Sequence, residues 1–247
     1  MLHYGVDTIV IAFFGAFFAA ALTVPAGFGL STVLTPVVLL MMGPHEAIAV
    51  VAVVHGAHNA GKYISLRDHV DYSAIRHYGF WLVVGSILGA LLQNNVPQKP
   101  LLLTIGIFLV ILPLASISES WTRYRIPEAN DKIGGFGSGF MGGISGHQGA
   151  LRAMFLTRRL NDKMKFAATA SVLALCVDVS RIPVYLFFRH DDIIIHLKLT
   201  IILVIAALLG IQLGKKWLHS MKNSYVHNLV MAGIIVSGIF YIFKALS

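Results

Sequence analysis

The chain has 247 residues, of which 57% are hydrophobic and 12% charged, and its formal net charge is +8. Soluble domains carry about 25% charged residues, so this composition excludes an ordinary soluble protein and indicates a polytopic membrane protein. The basic residues occur in short groups between apolar stretches, as in cytoplasmic loops of membrane proteins, so the charge does not predict binding to nucleic acid.

Six apolar segments have a length suited to crossing a bilayer, which takes about 20 residues. In chain order these spans are 46–64, 77–93, 100–118, 166–188, 196–213 and 226–245. Two further regions, 9–42 and 133–157, contain shorter apolar segments divided by glycine-rich breaks. We predict that each of these regions forms a hairpin of two half-helices, with its break buried in protein.

Groups of basic residues alternate with connections that contain almost none. The basic groups are Lys62/Arg67/Arg76, Arg123/Arg125/Lys132, Arg158/Arg159/Lys163/Lys165 and Lys215/Lys216/Lys222. Because cytoplasmic loops are rich in Lys and Arg, we expect loops 65–76, 119–132, 158–165 and 214–225 to be inside. Two consecutive inside loops require 133–157 to enter the membrane and return, and both termini then lie outside.

The two halves of the chain resemble each other weakly. A shift of 119 positions places Gly27 on Gly146, Asn59 on Asp178 and Lys62 on Arg181. Residues 1–118 would form the first repeat and 133–247 the second, with 119–132 as a cytoplasmic linker. With the loop charges, this predicts an all-α membrane protein of two inverted-topology repeats. Each repeat is a broken-helix hairpin followed by three transmembrane helices, as in many secondary transporters.

The glycine-rich breaks are candidate binding sites for an anion. A helix that restarts at such a break directs free N–H groups and a positive dipole end toward it. Hairpins that enter from opposite sides bring their tips together near the bilayer midplane. The candidate substrate-binding residues are Gly27, Phe28, Gly29, Ser31, Gly146, His147, Gln148, Gly149 and Arg152. The alternative is that the glycines only permit tight helix packing.

Arg152, Asp178 and Arg181 are charged residues within the predicted membrane segments. A charge at bilayer depth costs at least about 2.5 kcal/mol on insertion scales, so it needs a function or a route to water. Arg152 either assists anion binding at the second tip or extends its side chain to the cytoplasmic headgroups. Asp178 and Arg181 are three residues apart and able to pair, and we expect Arg181 near the outer interface.

A polar stripe runs along span 46–64. The spacings of His55, His58, Asn59 and Lys62 place all four on one helix face, which then faces a cavity or a partner helix. Because a His binds a proton at ordinary pH, His55, His58 and Asn59, with Asp178, are candidates for proton or ion coupling. The alternative for each single His is a hydrogen-bonded packing residue.

Both glycine-rich blocks resemble those of the TauE/SafE sulfite-exporter family of membrane permeases. That family has a block of roughly G-x-G-G-G in each half, followed by a proline. The stretch GFGLSTVLTP (27–36) is similar to the first block, with Pro36 at the position of the proline. The stretch SGFMGGISGHQGALRAMF (138–155) is similar to the second block. The resemblance covers essentially the whole chain.

The resemblance implies a secondary transporter, and not an enzyme, that moves a small anion such as sulfite, a sulfonate or an organic acid. It implies no cofactor and no metal, and the expected partners are the anionic solute and the lipid bilayer. A homo-oligomer is left open. We expect a multi-pass protein of the cell membrane, specifically a bacterial inner membrane. Leu30, Ser31, Gln148 and Ala150 replace family glycines at the tips, which leaves the solute open.

Two other function classes have some support in the sequence. GISG (143–146) and AHNAG (57–61) match the serine and histidine motifs of rhomboid-type intramembrane proteases, which would pair Ser145 with His58. The histidine motif comes first here, whereas in rhomboids the serine motif does. The second alternative is a metal or cation transporter that uses His55, His58 and Asp178, but this set provides no further fixed ligand.

Overall fold

The structure is a computed structural model that describes residues 4–26, 29–122, 131–156, 159–160, 162–220 and 223–246. The helices of the first half are α1 (Val6–Ala26), α2 (Leu30–Val38), α3 (Pro44–Leu66), α4 (Tyr72–Asn95) and α5 (Gln98–Thr122). Those of the second half are α6 (Asp131–Ser145), α7 (Gly149–Leu156), α8 (Lys163–Ile195), α9 (Leu197–Ser220) and α10 (Asn223–Leu246). No strand occurs in these residues, which confirms the predicted all-α class.

Four of these helices are long and apolar enough to cross a membrane: Val6–Val24, Tyr72–Asn95, Lys163–Ile195 and Leu197–Trp217. Their outward faces carry exposed large apolar side chains, such as Ile11 and Phe14 on α1 and Ile201 and Ile205 on α9. The interior, by contrast, contains several buried polar and charged side chains. Apolar surfaces of this extent suit contact with lipid, as expected for a multi-pass membrane protein.

The helix bounds differ from the predicted segments in two informative places. The first arm of hairpin 9–42 is not a half-helix, because α1 has 21 residues and a length of about 30 Å. Its sequence VDTIVIAFFGAFFAAALTVPA contains no glycine-rich break before Gly27, so the helix continues. Residues 189–195, which connect the predicted spans 166–188 and 196–213, continue α8 beyond a kink at Arg189.

The helices pack in pairs that join the two halves of the chain. Helix α3 packs against α8, and α5 against α10. Helix α1 packs against α9, and α4 against α6. If α1 to α5 are matched in order with α6 to α10, each pair corresponds to a pair of the same set. The pair α1 with α9, for example, corresponds to α6 with α4. The short helix α2 packs against α1, and the short helix α7 packs against α6.

Glycines allow a very close helix approach between α4 and α6. A Cβ atom placed on Gly139 of α6 would lie 1.9 Å from the carbonyl oxygen of Leu82. One placed on Gly85 of α4 would lie 2.2 Å from that of Phe136. Only glycine permits backbones this near to each other, so part of the glycine content of 133–145 serves helix packing.

Candidate functional site

The tips of the two hairpins lie against each other. A Cβ atom placed on Gly29, just before α2, would be 3.8 Å from the Cα atom of Gly149, at the start of α7. One placed on Gly146 would be 3.7 Å from the Cβ atom of Ser31. The N-termini of α2 and α7 therefore adjoin inside the protein. Gly27 and Phe28 of the predicted site lie outside the described residues.

The break in the second hairpin depends on glycine. Helix α6 ends at Ser145, and Gly146 has a φ of 83°, in the left-handed region that side chains with a Cβ atom adopt only with strain. The Gly146 N–H donates to the carbonyl oxygen of Gly142, and the chain restarts as α7 at Gly149. The first N–H groups of a helix have no partner within that helix. Those of α7 are therefore directed at the break.

Asp178 is the centre of a buried hydrogen-bond network between α3 and α8. Its Oδ2 atom is 2.7 Å from Nδ1 of His55 and accepts from Nδ2 of Asn59 at 3.1 Å. Its Oδ1 atom accepts from Nη2 of Arg181 at 2.8 Å and from Nε at 3.1 Å. All four side chains are buried. A carboxylate with this many partners is held in one position, as a buried charge requires.

The same network holds the end of α6. Nη1 of Arg181 donates to the carbonyl oxygen of Gly142 at 2.7 Å, and the hydroxyl of Tyr185 donates to that of Gly143. These carbonyls belong to the last turn of α6, where the donors of a continuing helix run out, although that of Gly142 also accepts from the Gly146 N–H. Arg181 and Tyr185 thus fix the position of the tip relative to α8. Arg181 is fully buried within the protein, and its expected place near the outer interface stays a prediction.

Several polar atoms at the tips are buried without a hydrogen-bond partner. They are Ser31 Oγ, both ring nitrogens of His58 and of His147, both amide atoms of Gln148, and Nη1 of Arg152. Buried polar atoms in proteins nearly always have a partner, and each exception calls for an explanation. Because most of these atoms belong to the two tips, their unused hydrogen-bonding capacity is concentrated where α2 and α7 meet.

Two further cationic side chains are buried, one on α7 and one on α3. The side chain of Arg152, on α7, is 3% exposed, and that of Lys62, on α3, is 4% exposed. A guanidinium this deeply buried does not extend to the membrane surface, which favours the first of the two interpretations of Arg152. Arg152 also interacts electrostatically with Lys62 and Asp178. The four residues of the polar stripe, His55, His58, Asn59 and Lys62, are all buried.

Neither alternative function class is supported by the geometry. Ser145 donates its hydroxyl to the carbonyl oxygen of Met141 at 3.0 Å, and both ring nitrogens of His58 lack a partner, so no Ser–His dyad exists. The described residues also contain no group of three or more His, Cys, Asp or Glu side chains placed to hold a metal ion. Of the proposed metal ligands, His55 and Asp178 bind each other.

Sequence reasoning did not include Arg181, Tyr185 and Lys62 among the site residues. One signal for Arg181 was present, because the shift that relates the halves places it on Lys62. No signal pointed to Tyr185. Its role is to donate to a backbone carbonyl, and such a contact depends on the distance between α6 and α8.

These features define the class of protein. A helical fold with membrane-spanning helices, an apolar exterior and a buried charged network around two interrupted helices is that of a multi-pass membrane transporter. The family model "Sulfite exporter TauE/SafE" matches residues 12–241, nearly the whole chain. The chain therefore belongs to this family of membrane transporters, as the resemblance predicted. No curated protein and no solved structure matches it.

Proposed function

We propose that the protein transports a small oxyanion through a site formed by the two hairpin tips. The observation that carries this proposal is the juxtaposition of the N-termini of α2 and α7 with unpartnered polar atoms and with Arg152. Helix N-termini bind anions through their free N–H groups and their dipoles. A buried guanidinium with a free Nη1 adds a charge-assisted donor at the same place.

The two halves act, in this proposal, as inverted repeats around the site. The helix pairs support this arrangement, because the pair α1 with α9 becomes the pair α6 with α4 when the two halves are interchanged. Asn59 and Asp178, which the shift of 119 positions makes equivalent, also touch each other, with Nδ2 and Oδ2 3.1 Å apart. Equivalent residues of two repeats meet only close to the axis that relates them. That axis passes beside the tips, where transporters of this architecture bind their substrates.

The solute we propose is sulfite or a similar small sulfur oxyanion, as membership of the family suggests. Such anions have three or more oxygens that accept hydrogen bonds in several directions. Ser31, His147 and Gln148 offer hydroxyl, ring and amide groups for these oxygens. Glycine at position 29 keeps the backbone there accessible, because a Cβ atom would lie 3.1 Å from Nε2 of His55 and 3.8 Å from the Cα atom of Gly149.

His55 and Asp178 are the proposed coupling pair for proton movement. They are hydrogen-bonded to each other and fully buried, and Nε2 of His55 lies 3.1 Å from where a Cβ atom of Gly29 would be. A proton on His55 therefore adds positive charge directly beside the first tip. Anion binding and protonation of this His would then favour each other, as coupled transport requires.

Flux into lipid vesicles tests this function. Purified full-length protein is reconstituted, and uptake of radiolabelled sulfite, methanesulfonate and acetate is measured with and without a proton gradient. We expect sulfite uptake above that of empty vesicles, and a change in its rate when the gradient is imposed. Absence of uptake of every anion, by protein shown to be folded and inserted, would contradict the proposed function. Uptake that ignores the gradient would contradict only the coupling.

A further inference from the structure

Two of the buried cations have no acidic partner. Asp178 is the only acidic side chain that is buried in the described part of the chain, and it is engaged by Arg181 and His55. Neither Lys62 nor Arg152 forms an ion pair with any acidic side chain among those residues. With Asp178 and Arg181 cancelling each other, the buried cluster carries an excess of two positive charges.

The position of these two cations makes their burial costly. A buried charge without a partner is strongly unfavourable, and like charges repel more in a medium of low dielectric than in water. Arg152 and Lys62 are like charges that repel each other electrostatically. Lys62 lies one turn beyond His58 on α3, and Arg152 lies three residues after Gly149 on α7. In the predicted topology both therefore lie on the cytoplasmic side of the tips.

We propose that Lys62 and Arg152 form a subsite that makes the transporter selective for divalent oxyanions. This inference rests on the proposed function and deepens it, since it names the charge of the solute and adds Lys62 to the site. An anion with two negative charges balances both cations, whereas a monovalent anion leaves one of them uncompensated in the interior. The neutral side chains at the tips, including those of Ser31, His147 and Gln148, contribute hydrogen bonds but no fixed charge.

The subsite also separates solutes that share a shape. Sulfate and methanesulfonate are both tetrahedral and similar in size, but sulfate carries two charges and methanesulfonate one. Shape and hydrogen bonding alone would discriminate weakly between them. A requirement for two cations discriminates strongly, because the second negative charge of the dianion is compensated only where Lys62 is present. Methylphosphonate, divalent at alkaline pH, keeps the methyl group and so isolates the effect of charge.

Binding of these three anions to purified full-length protein provides the test. Apparent dissociation constants are obtained from the rise in melting temperature with ligand concentration. For wild type we expect sulfate and methylphosphonate to bind at least about tenfold more tightly than methanesulfonate. In Lys62→Gln the two dianions should lose about tenfold or more in affinity, while methanesulfonate changes less than about threefold. Lys62→Arg keeps the charge and should retain the preference.

Two controls distinguish binding by Lys62 from a structural role. Lys163→Gln removes an exposed cation and should leave all three affinities unchanged. Without ligand, the melting temperature of Lys62→Gln should equal or exceed that of wild type, because the substitution relieves the repulsion by Arg152. A structural lysine would instead lower it on replacement.

The outcomes separate the two proposals. Equal binding of divalent and monovalent anions by wild type, or an unchanged preference in folded Lys62→Gln, would overturn the subsite while leaving anion transport in place. A fall in the melting temperature of Lys62→Gln, with the three affinities reduced equally, would also overturn it. Failure of wild type to bind or transport any anion would overturn the proposed function itself.

Discussion

Nδ1 of His55, on α3, and Oδ2 of Asp178, on α8, are 2.7 Å apart, and both side chains are completely buried. The contact joins the central helices of the two halves of the chain. Because Asp178 also binds Arg181, which in turn holds the carbonyl of Gly142, one carboxylate connects α3, α8 and the second hairpin tip. A change in the charge of Asp178 is therefore expected to affect all three.

Replacement of Asp178 by Asn should destabilise the protein severely. The substitution preserves the shape but leaves Arg181 buried without a counter-charge, and breaking a buried pair in this way costs about 3–5 kcal/mol. The melting temperature of the purified protein measures the effect. Asp68→Asn is the matched control, because Asp68 is exposed and its replacement should change the stability by less than about 0.5 kcal/mol.

A second substitution distinguishes loss of the pair from loss of a hydrogen bond. Asp178→Asn combined with Arg181→Gln removes both charges, so it should be more stable than Asp178→Asn alone. If the double variant is instead less stable than either single variant, the buried charge pair is not what makes Asp178 important.

Arg152→Gln should weaken anion binding without unfolding the protein. The variant keeps most of the side-chain length but loses the charge, and a charge-assisted hydrogen bond contributes about 1–3 kcal/mol. Arg152→Lys should recover part of the affinity, because it restores the charge but not the guanidinium geometry. Titration of sulfite uptake measures both. Unchanged affinity in correctly inserted Arg152→Gln would remove this residue from the site.

Gly139→Ala should disrupt the packing of α4 against α6. Its new Cβ atom would lie 1.9 Å from the carbonyl oxygen of Leu82, so the backbones must separate. Overpacking of this kind costs about 1–3 kcal/mol or more. Gly137→Ala on the same helix is the control, since its Cβ atom would meet only Leu151 Cδ2, at 3.7 Å. Equal melting temperatures for the two variants would contradict the close helix approach.

The proposed inverted arrangement of the halves predicts which loops face the cytoplasm. With Cys176 replaced by Ala, single cysteines introduced at Val70, Glu128 and Asn161 should react with a membrane-impermeant thiol reagent only from the inside. Lys99→Cys serves as the control and should react from the outside. Labelling of any of the first three positions from the outside would contradict the inverted repeat.

The polar stripe shows what periodicity predicts well. His55, His58, Asn59 and Lys62 recur at helical spacing, and polar groups in a membrane segment must face protein or water, so their shared burial follows from the sequence. Which partner they meet does not follow. The bond of His55 to Asp178 joins residues 123 positions apart, and only the packing of α3 against α8 brings them together.

The glycines show where sequence alone is ambiguous. Gly139 and Gly146 lie in the same glycine-rich stretch, yet Gly139 permits a close helix contact and Gly146 provides the left-handed residue of the break. A residue without a side chain gives no periodic signal that separates these roles. Helix α1 illustrates the opposite problem. The glycine-rich break predicts two half-helices in 9–42, whereas α1 has 21 residues and only α2 is short.

Anomalous diffraction from crystals of the full-length protein grown with selenate tests most directly whether an anion binds between the tips. Selenate matches sulfate in charge and shape, and selenium marks its position. We expect a strong selenium peak between the tips, with the selenate oxygens about 3 Å from the N–H of Gly149 and from the guanidinium of Arg152. No peak at saturating selenate, or a peak only on the exposed surface, would contradict it.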